Sequence, residues 1–161
     1  MRGQTAIPPA LISTLAQIAP DLDALQEDWW LIGSAALVLS GVTLPTVDDI
    51  DILTTPAGAE FLAERWGGGL ACSGPTGHFR SEVFFRRTDT PMPVEVMAGF
   101  EVNTAKGWTP VRPRTRVALA WLGGLYFAPS HVELLDMLAL FGRPQDCERA
   151  ALLDAVTWNA L

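Results

Sequence analysis

Asp49 and Asp51 stand one residue apart in "VDDIDILTT", with Ile50 between them and Ile52 and Leu53 after them. On an extended strand, residues two apart point to the same face. The two carboxylates would therefore project side by side while Ile50 and Ile52 turn into a core. Adjacent carboxylates repel and raise one another's pKa unless a cation lies between them. A hard divalent ion such as Mg²⁺ is the usual solution, held by one or two carboxylates together with substrate phosphates. The plainer reading is a solvated strand edge or a turn at Asp48-Asp49. Against it, acids between apolar residues at a strand start are costly without a partner.

The pair Gly33-Ser34, closing the apolar run "WWLI", offers the complementary half. A glycine at a strand-to-helix turn lets the backbone approach a ligand, and the free N–H groups of a helix start favour an anion. Ser34 adds a hydroxyl. Gly-Ser before a helix is by itself an ordinary cap; joined to Asp-x-Asp on the next strand, it suggests a triphosphate seat.

The surrounding elements must position these groups. Pro8 and Pro9 suit a helix start, with Leu11, Leu15 and Ile18 at helical spacing up to Pro20 and a second short helix over 21–28. "WWLIG" reads as a buried strand, "SAALVLSG" as a helix and "DIDILTT" as the next strand. Thr55 and Pro56 can cap and open a helix that ends at Gly67–Gly69. "FRSEVFFRR", "PVEVMA" and "RVALAWL" are strand candidates, and Ser130 with Glu133 has capping-box spacing before "LLDMLALFG". A last helix spans 145–158. The order predicts a single α+β domain over 1–161, a mixed sheet with flanking helices at about 8–28 and 130–159.

With 49% apolar and 18% charged residues, disorder is excluded. No run of 18 apolar residues is present, so no membrane span is expected. The segment behind Arg2 makes a poor signal peptide, which with Cys72 and Cys147 read as free buried thiols points to the cytoplasm. A net charge of −7 argues against a large nucleic-acid footprint. Seven of the 11 basic residues nevertheless lie between Arg80 and Arg116, as a solvated face or an anion-facing wall.

An apolar strand ending in Gly-Ser, a helix, then Asp-hydrophobic-Asp-hydrophobic resembles the DNA polymerase β-like nucleotidyltransferase superfamily. The chain is most similar in kind to its small bacterial members, related to antibiotic nucleotidyltransferases and toxin–antitoxin enzymes. The resemblance covers about 29–153. It implies a third carboxylate on a later strand, matched by Glu95 in "PVEVMA". It also implies a basic segment opening the last helix, matched by Arg143 in "GRPQDCERAALL". Gln145 replaces the lysine common there, and "TLPTVD" lacks the basic residue many relatives carry.

The activity so implied is transfer of a nucleoside monophosphate from an NTP, ATP by preference, to a hydroxyl, with Mg²⁺ or Mn²⁺. Asp49, Asp51 and Glu95 would be the metal and catalytic acids, and Gly33 and Ser34 would cradle phosphates. Arg112, Arg114 and Arg116 alternate, so an extended segment would line them up to track phosphates, and Arg143 beside the start of the last helix is the other candidate. The acceptor stays open: a small molecule, a protein side chain or an RNA end. A homodimer or protein partner is compatible with the resemblance. The alternative is a catalytically weak module of the same fold that binds a nucleotide or partner, as in toxin–antitoxin pairs.

Other readings are weaker. Asp-x-Asp also occurs in haloacid-dehalogenase-type phosphatases, but there an apolar strand precedes the motif, and Leu53 stands where Thr or Val belongs. A calcium loop also fails at Leu53. His78 and His131 lack zinc spacing. Most of the six tryptophans sit in apolar runs; Trp108 alone is read as lying near a ligand.

Overall fold

The computed structural model describes residues 7–69, 71–73 and 77–159. Its elements in order are α1 (Pro9–Ala24), β1 (Trp29–Ile32), α2 (Gly33–Leu39), β2 (Ile50–Thr54), α3 (Pro56–Trp66), β3 (Ala71–Ser73) and β4 (Phe79–Arg87). Then follow β5 (Val94–Thr104), β6 (Gly107–Pro110), β7 (Val117–Trp121), β8 (Gly124–Ala128), α4 (His131–Phe141) and α5 (Pro144–Asn159). β1, β2, β5, β4 and β3 form a sheet in that order, with β6 also on β5; β7 and β8 form a separate hairpin. β2 runs parallel to β5 and the other pairs are antiparallel, so the sheet is mixed and the fold α+β.

Alternation along β2 and β5 divides the core in two. Ile50, Ile52, Val94 and Val96 join the larger cluster with α1 and Leu62 of α3. Leu53, Met97 and Phe100 join Ile32, Met137 and Phe141 in a second cluster. Asp51 and Glu95 belong to this second face by strand periodicity.

Several expectations differ from the structure. α1 runs unbroken through Pro20 to Ala24, where two helices were expected. A proline inside a helix costs about 3 kcal/mol, but Leu11, Leu15, Ile18 and Leu22 form one fully buried stripe across it, and that packing outweighs the break. "GGLYFA" is strand β8, paired to β7, and β6 was not anticipated. Residues 111–116 form no strand at all. Thr55 does cap α3, accepting from the Gly58 amide, and Ser130 caps α4, accepting from the Glu133 amide. Cys147 is exposed rather than buried. Arg2 and the side chains of Cys72 and Trp158 lie outside the described residues.

Candidate active site

Strand register assembles the acids. Ile32 pairs with Asp51, Asp51 with Glu95, and Glu95 with Arg86, a single row across four strands. The parallel pairing of β2 with β5 is therefore what joins two carboxylates 44 positions apart in sequence. Asp49 stands one residue before β2, where the Ile50 amide donates to the Pro93 carbonyl at 2.9 Å. One oxygen from each of Asp49, Asp51 and Glu95 falls within 4.8 Å of the other two.

Gly33 follows Ile32 directly and so lies beside Asp51. Its φ is +67°, and a Cβ there would stand 2.5 Å from Asp51 Oδ2. Only glycine permits that approach. Ser34 is buried at the start of α2. α2 is seven residues long, so its dipole is short, and the useful feature at this turn is the pair of backbone N–H groups.

The acids line a cavity of about 390 Å³ with Gly33, Ser34 and Thr46. Burial, then the charges of Asp49 and Glu95, pushes the Asp51 carboxyl well above its usual range. Burial likewise raises Asp49. Arg86 Nη1 donates to Glu95 Oε1 at 3.3 Å. Three mutually repelling oxygen donors, one of them desolvated, fit a hard divalent cation.

The basic residues sort differently from expectation. Arg143 lines the cavity, but its guanidinium is held on buried Asp146, Nε to Oδ2 at 2.7 Å and Nη2 to Oδ1 at 3.0 Å, and lies 4.9 Å over Phe79. Arg114 and Arg116 do not line it. The Arg114 and Thr115 amides donate to the Glu133 carboxylate at 2.7 and 2.9 Å. Arg116 Nε donates to the Trp29 carbonyl, with its guanidinium 3.6 Å from the Phe127 ring centre. Trp108 lies under Arg80 at 4.4 Å, away from the acids. His78 Nε2 contacts the Phe141 carbonyl at 2.7 Å.

Arg149, which went unremarked, also lines the cavity and favours the charged forms of Asp49 and Asp51. It makes no ion pair among the described residues. Its signal was present: it follows Gln145 by four residues, hence on the same face of α5.

No protein-family model and no curated protein matches the chain. Solved structures do. TM1012 from Thermotoga maritima, named a nucleotidyltransferase, is 21% identical over 92% of this chain and 94% of its own, with a TM-score of 0.75. The lincosamide antibiotic adenylyltransferase LnuA, bound to lincomycin, gives 0.58 at 11% identity over 94% and 99%. A nucleotidyltransferase-like antigenic protein of Paracoccidioides brasiliensis gives 0.54 at 16% over 92% and 76%. The fold is that of a nucleotidyltransferase. On that fold, the row through Asp51 and Glu95 occupies the centre of the sheet.

Proposed function

We propose that the chain is a single-domain nucleotidyltransferase, moving a nucleoside monophosphate from an NTP, preferably ATP, to a hydroxyl acceptor. The observation that carries this is the convergence of Asp49, Asp51 and Glu95 within 4.8 Å beside Gly33, at the centre of a nucleotidyltransferase fold. Those three acids would hold Mg²⁺ or Mn²⁺, which when bound offsets phosphate charge and polarises the reacting oxygens. The Gly33 and Ser34 amides would donate to phosphate oxygens. Arg149 would supply the cation that Gln145 cannot, with Arg143, held on Asp146, lining the same cavity. Glu95 stands on the side of the acid row away from Gly33 and takes the acceptor proton. The acceptor oxygen bonds to the α-phosphorus as the bond from that phosphorus to the bridging oxygen breaks, and pyrophosphate leaves. No helix among the described residues is long and apolar enough to cross a membrane. The free exposed thiol of Cys147 supports a cytoplasmic setting.

A second reading has one observation behind it: the Arg86–Glu95 contact already occupies the acid that would act on the acceptor. A nucleotide- or partner-binding module, as in toxin–antitoxin pairs, would show that. Incubating the protein with α-labelled ATP, Mg²⁺ and a cell extract separates the two. Label carried to an acceptor and lost in Asp51→Asn supports transfer. Metal-dependent binding without transfer to any fraction would establish the module instead.

A further inference from the structure

A second cavity, about 820 Å³, is larger than the one holding the acids. Its origin is a notch in the sheet. Along one edge of β5, β2 pairs with residues 94–97 and β6 with residues 101–104; between them the Phe100 carbonyl accepts from the Val111 amide at 2.9 Å, which leaves Ala98 and Gly99 without a partner strand on that edge. Leu53 and Thr54 from the end of β2, Gly99 and Phe100 from β5, and Val111 and Arg112 from the segment after β6 line the opening. Gly99 has φ +62°, and a Cβ there would meet the Glu82 Cβ at 2.6 Å, so glycine lets Glu82 of β4 pack directly against β5 at the cavity wall.

The lining is mostly apolar, with Trp30, Pro56, Pro110 and Pro113 at its rim. Its charges cancel: Arg80 and Arg112 against Glu82 and Glu101, with Arg80 Nε on Glu101 Oε1 at 3.0 Å. Such a volume suits a drug-sized ligand. Ser81 and Phe100 line both cavities, and from there toward Glu95 the acid cavity is walled by Phe79, Phe84 and Met97. The notch and the acid cavity thus adjoin at Ser81 and Phe100.

We infer that the acceptor is a small, predominantly apolar alcohol whose body sits in the notch and whose hydroxyl points past Phe100 toward Glu95. This rests on the transferase reading above. An RNA end would want uncompensated cations along the acceptor pocket, and in the notch Arg80 and Arg112 are balanced by Glu82 and Glu101. A polycationic sugar would want unpaired acids, and Glu101 is paired.

The test is titration calorimetry of 2-naphthaleneethanol, an apolar alcohol of suitable size, into the full chain, with Mg·ATP titrated separately. Two variants place a carboxylate at the rim: Pro113→Glu in the loop, and Pro56→Glu at the first turn of α3, where an acid is favourable to the helix. One saturable site is expected, weakened about tenfold or more in both variants while Mg·ATP affinity holds. Asp51→Asn should show the reverse. An RNA oligonucleotide with a free 3′-hydroxyl and a polyamino sugar should not compete with the naphthyl alcohol. Competition by either, no saturable binding, or binding indifferent to both rim variants overturns the inference. Loss of Mg·ATP binding in the wild type, by contrast, would strike the transferase reading itself.

Discussion

Two groups of arginines could serve the phosphates, and the fold uses them differently. Arg114 and Arg116 belong to a segment tied down by Glu133, by the Trp30 indole donating to the Thr115 carbonyl, and by Arg116 itself on the Trp29 carbonyl. These contacts fasten the approach to the β7–β8 hairpin against β1 and α4. Arg143 and Arg149, on or beside α5, line the acid cavity instead, Arg149 acting on Asp49 and Asp51 while Arg143 is held on Asp146. Alternation in sequence suggested that the first group was functional. It is the register of a helix turn, not of a strand, that brings a cation to the site. Charge density along a chain says little about where the charge points once the backbone stops being extended.

The sharpest contrast comes from the acids themselves. Asp51→Asn should abolish Mg²⁺-dependent ATP binding without unfolding the chain, as read by calorimetry on both forms. Glu95→Gln should lower kcat by on the order of a hundredfold or more while ATP affinity changes little, because in the proposed reaction the proton it would take belongs to the acceptor. Equal losses in both quantities would demote Glu95 to a structural acid.

The arginine comparison is tested next. Arg149→Ala should weaken Mg·ATP binding about ten- to a hundredfold, the loss of one charge-assisted contact worth roughly 1.5–3 kcal/mol, with partial recovery in Arg149→Lys. Arg114→Ala should do nothing to affinity, because its backbone amide and not its side chain makes the contact with Glu133. If Arg114→Ala weakens binding as much as Arg149→Ala, the assignment of the two groups is wrong. Arg116→Ala should leave affinity unchanged yet lower thermal stability by about 1–2 kcal/mol, through the lost ring contact and hydrogen bond. A thermal melt beside the titration reads both.

What could be read from the sequence follows from how local each signal is. Asp49, Asp51 and Gly33 sit within one strand–helix–strand unit, where spacing and turn chemistry suffice to bring them together. Glu95 needed the family resemblance, since no local rule says that β2 pairs parallel with β5. Arg149 carries only a weak signal in "GRPQDCERAALL", its spacing from Gln145, whereas 112–116 shows a plain alternation of arginines. That alternation could not show that Glu133, from α4, would claim the backbone there. The notch was invisible for a related reason: it exists because two strands from distant segments share one edge of β5 and stop short of each other. Pro20 misled in the opposite direction, a strong local signal overridden by a buried stripe.

The smallest expected effect distinguishes the acid row from the rest of the molecule by its pH dependence. An acid whose pKa is raised on folding binds its proton more tightly in the native state than in the unfolded chain. Stability then falls as pH rises from the ordinary aspartate value near ~4 through the native value. Asp51 is such a group, raised by burial and then by Asp49 and Glu95, and opposed by Arg149; Asp49 shifts the same way. Asp89 and Glu133 are lowered and push stability in the other direction. The total pH profile therefore mixes signs, and the difference between wild type and Asp51→Asn isolates the row. Without metal, the variant should gain stability relative to wild type as pH rises from about 4 toward neutrality, because it keeps the neutral form that wild type must give up. Saturating Mg²⁺ should shrink that gap by stabilising only the wild type. Arg149→Ala should steepen the wild-type decline, having removed a cation that favours the charged acids, whereas Arg116→Ala should shift the whole curve down without changing its slope. Parallel curves for Arg149→Ala and Arg116→Ala would mean that the two arginine groups do not differ in the way their contacts indicate.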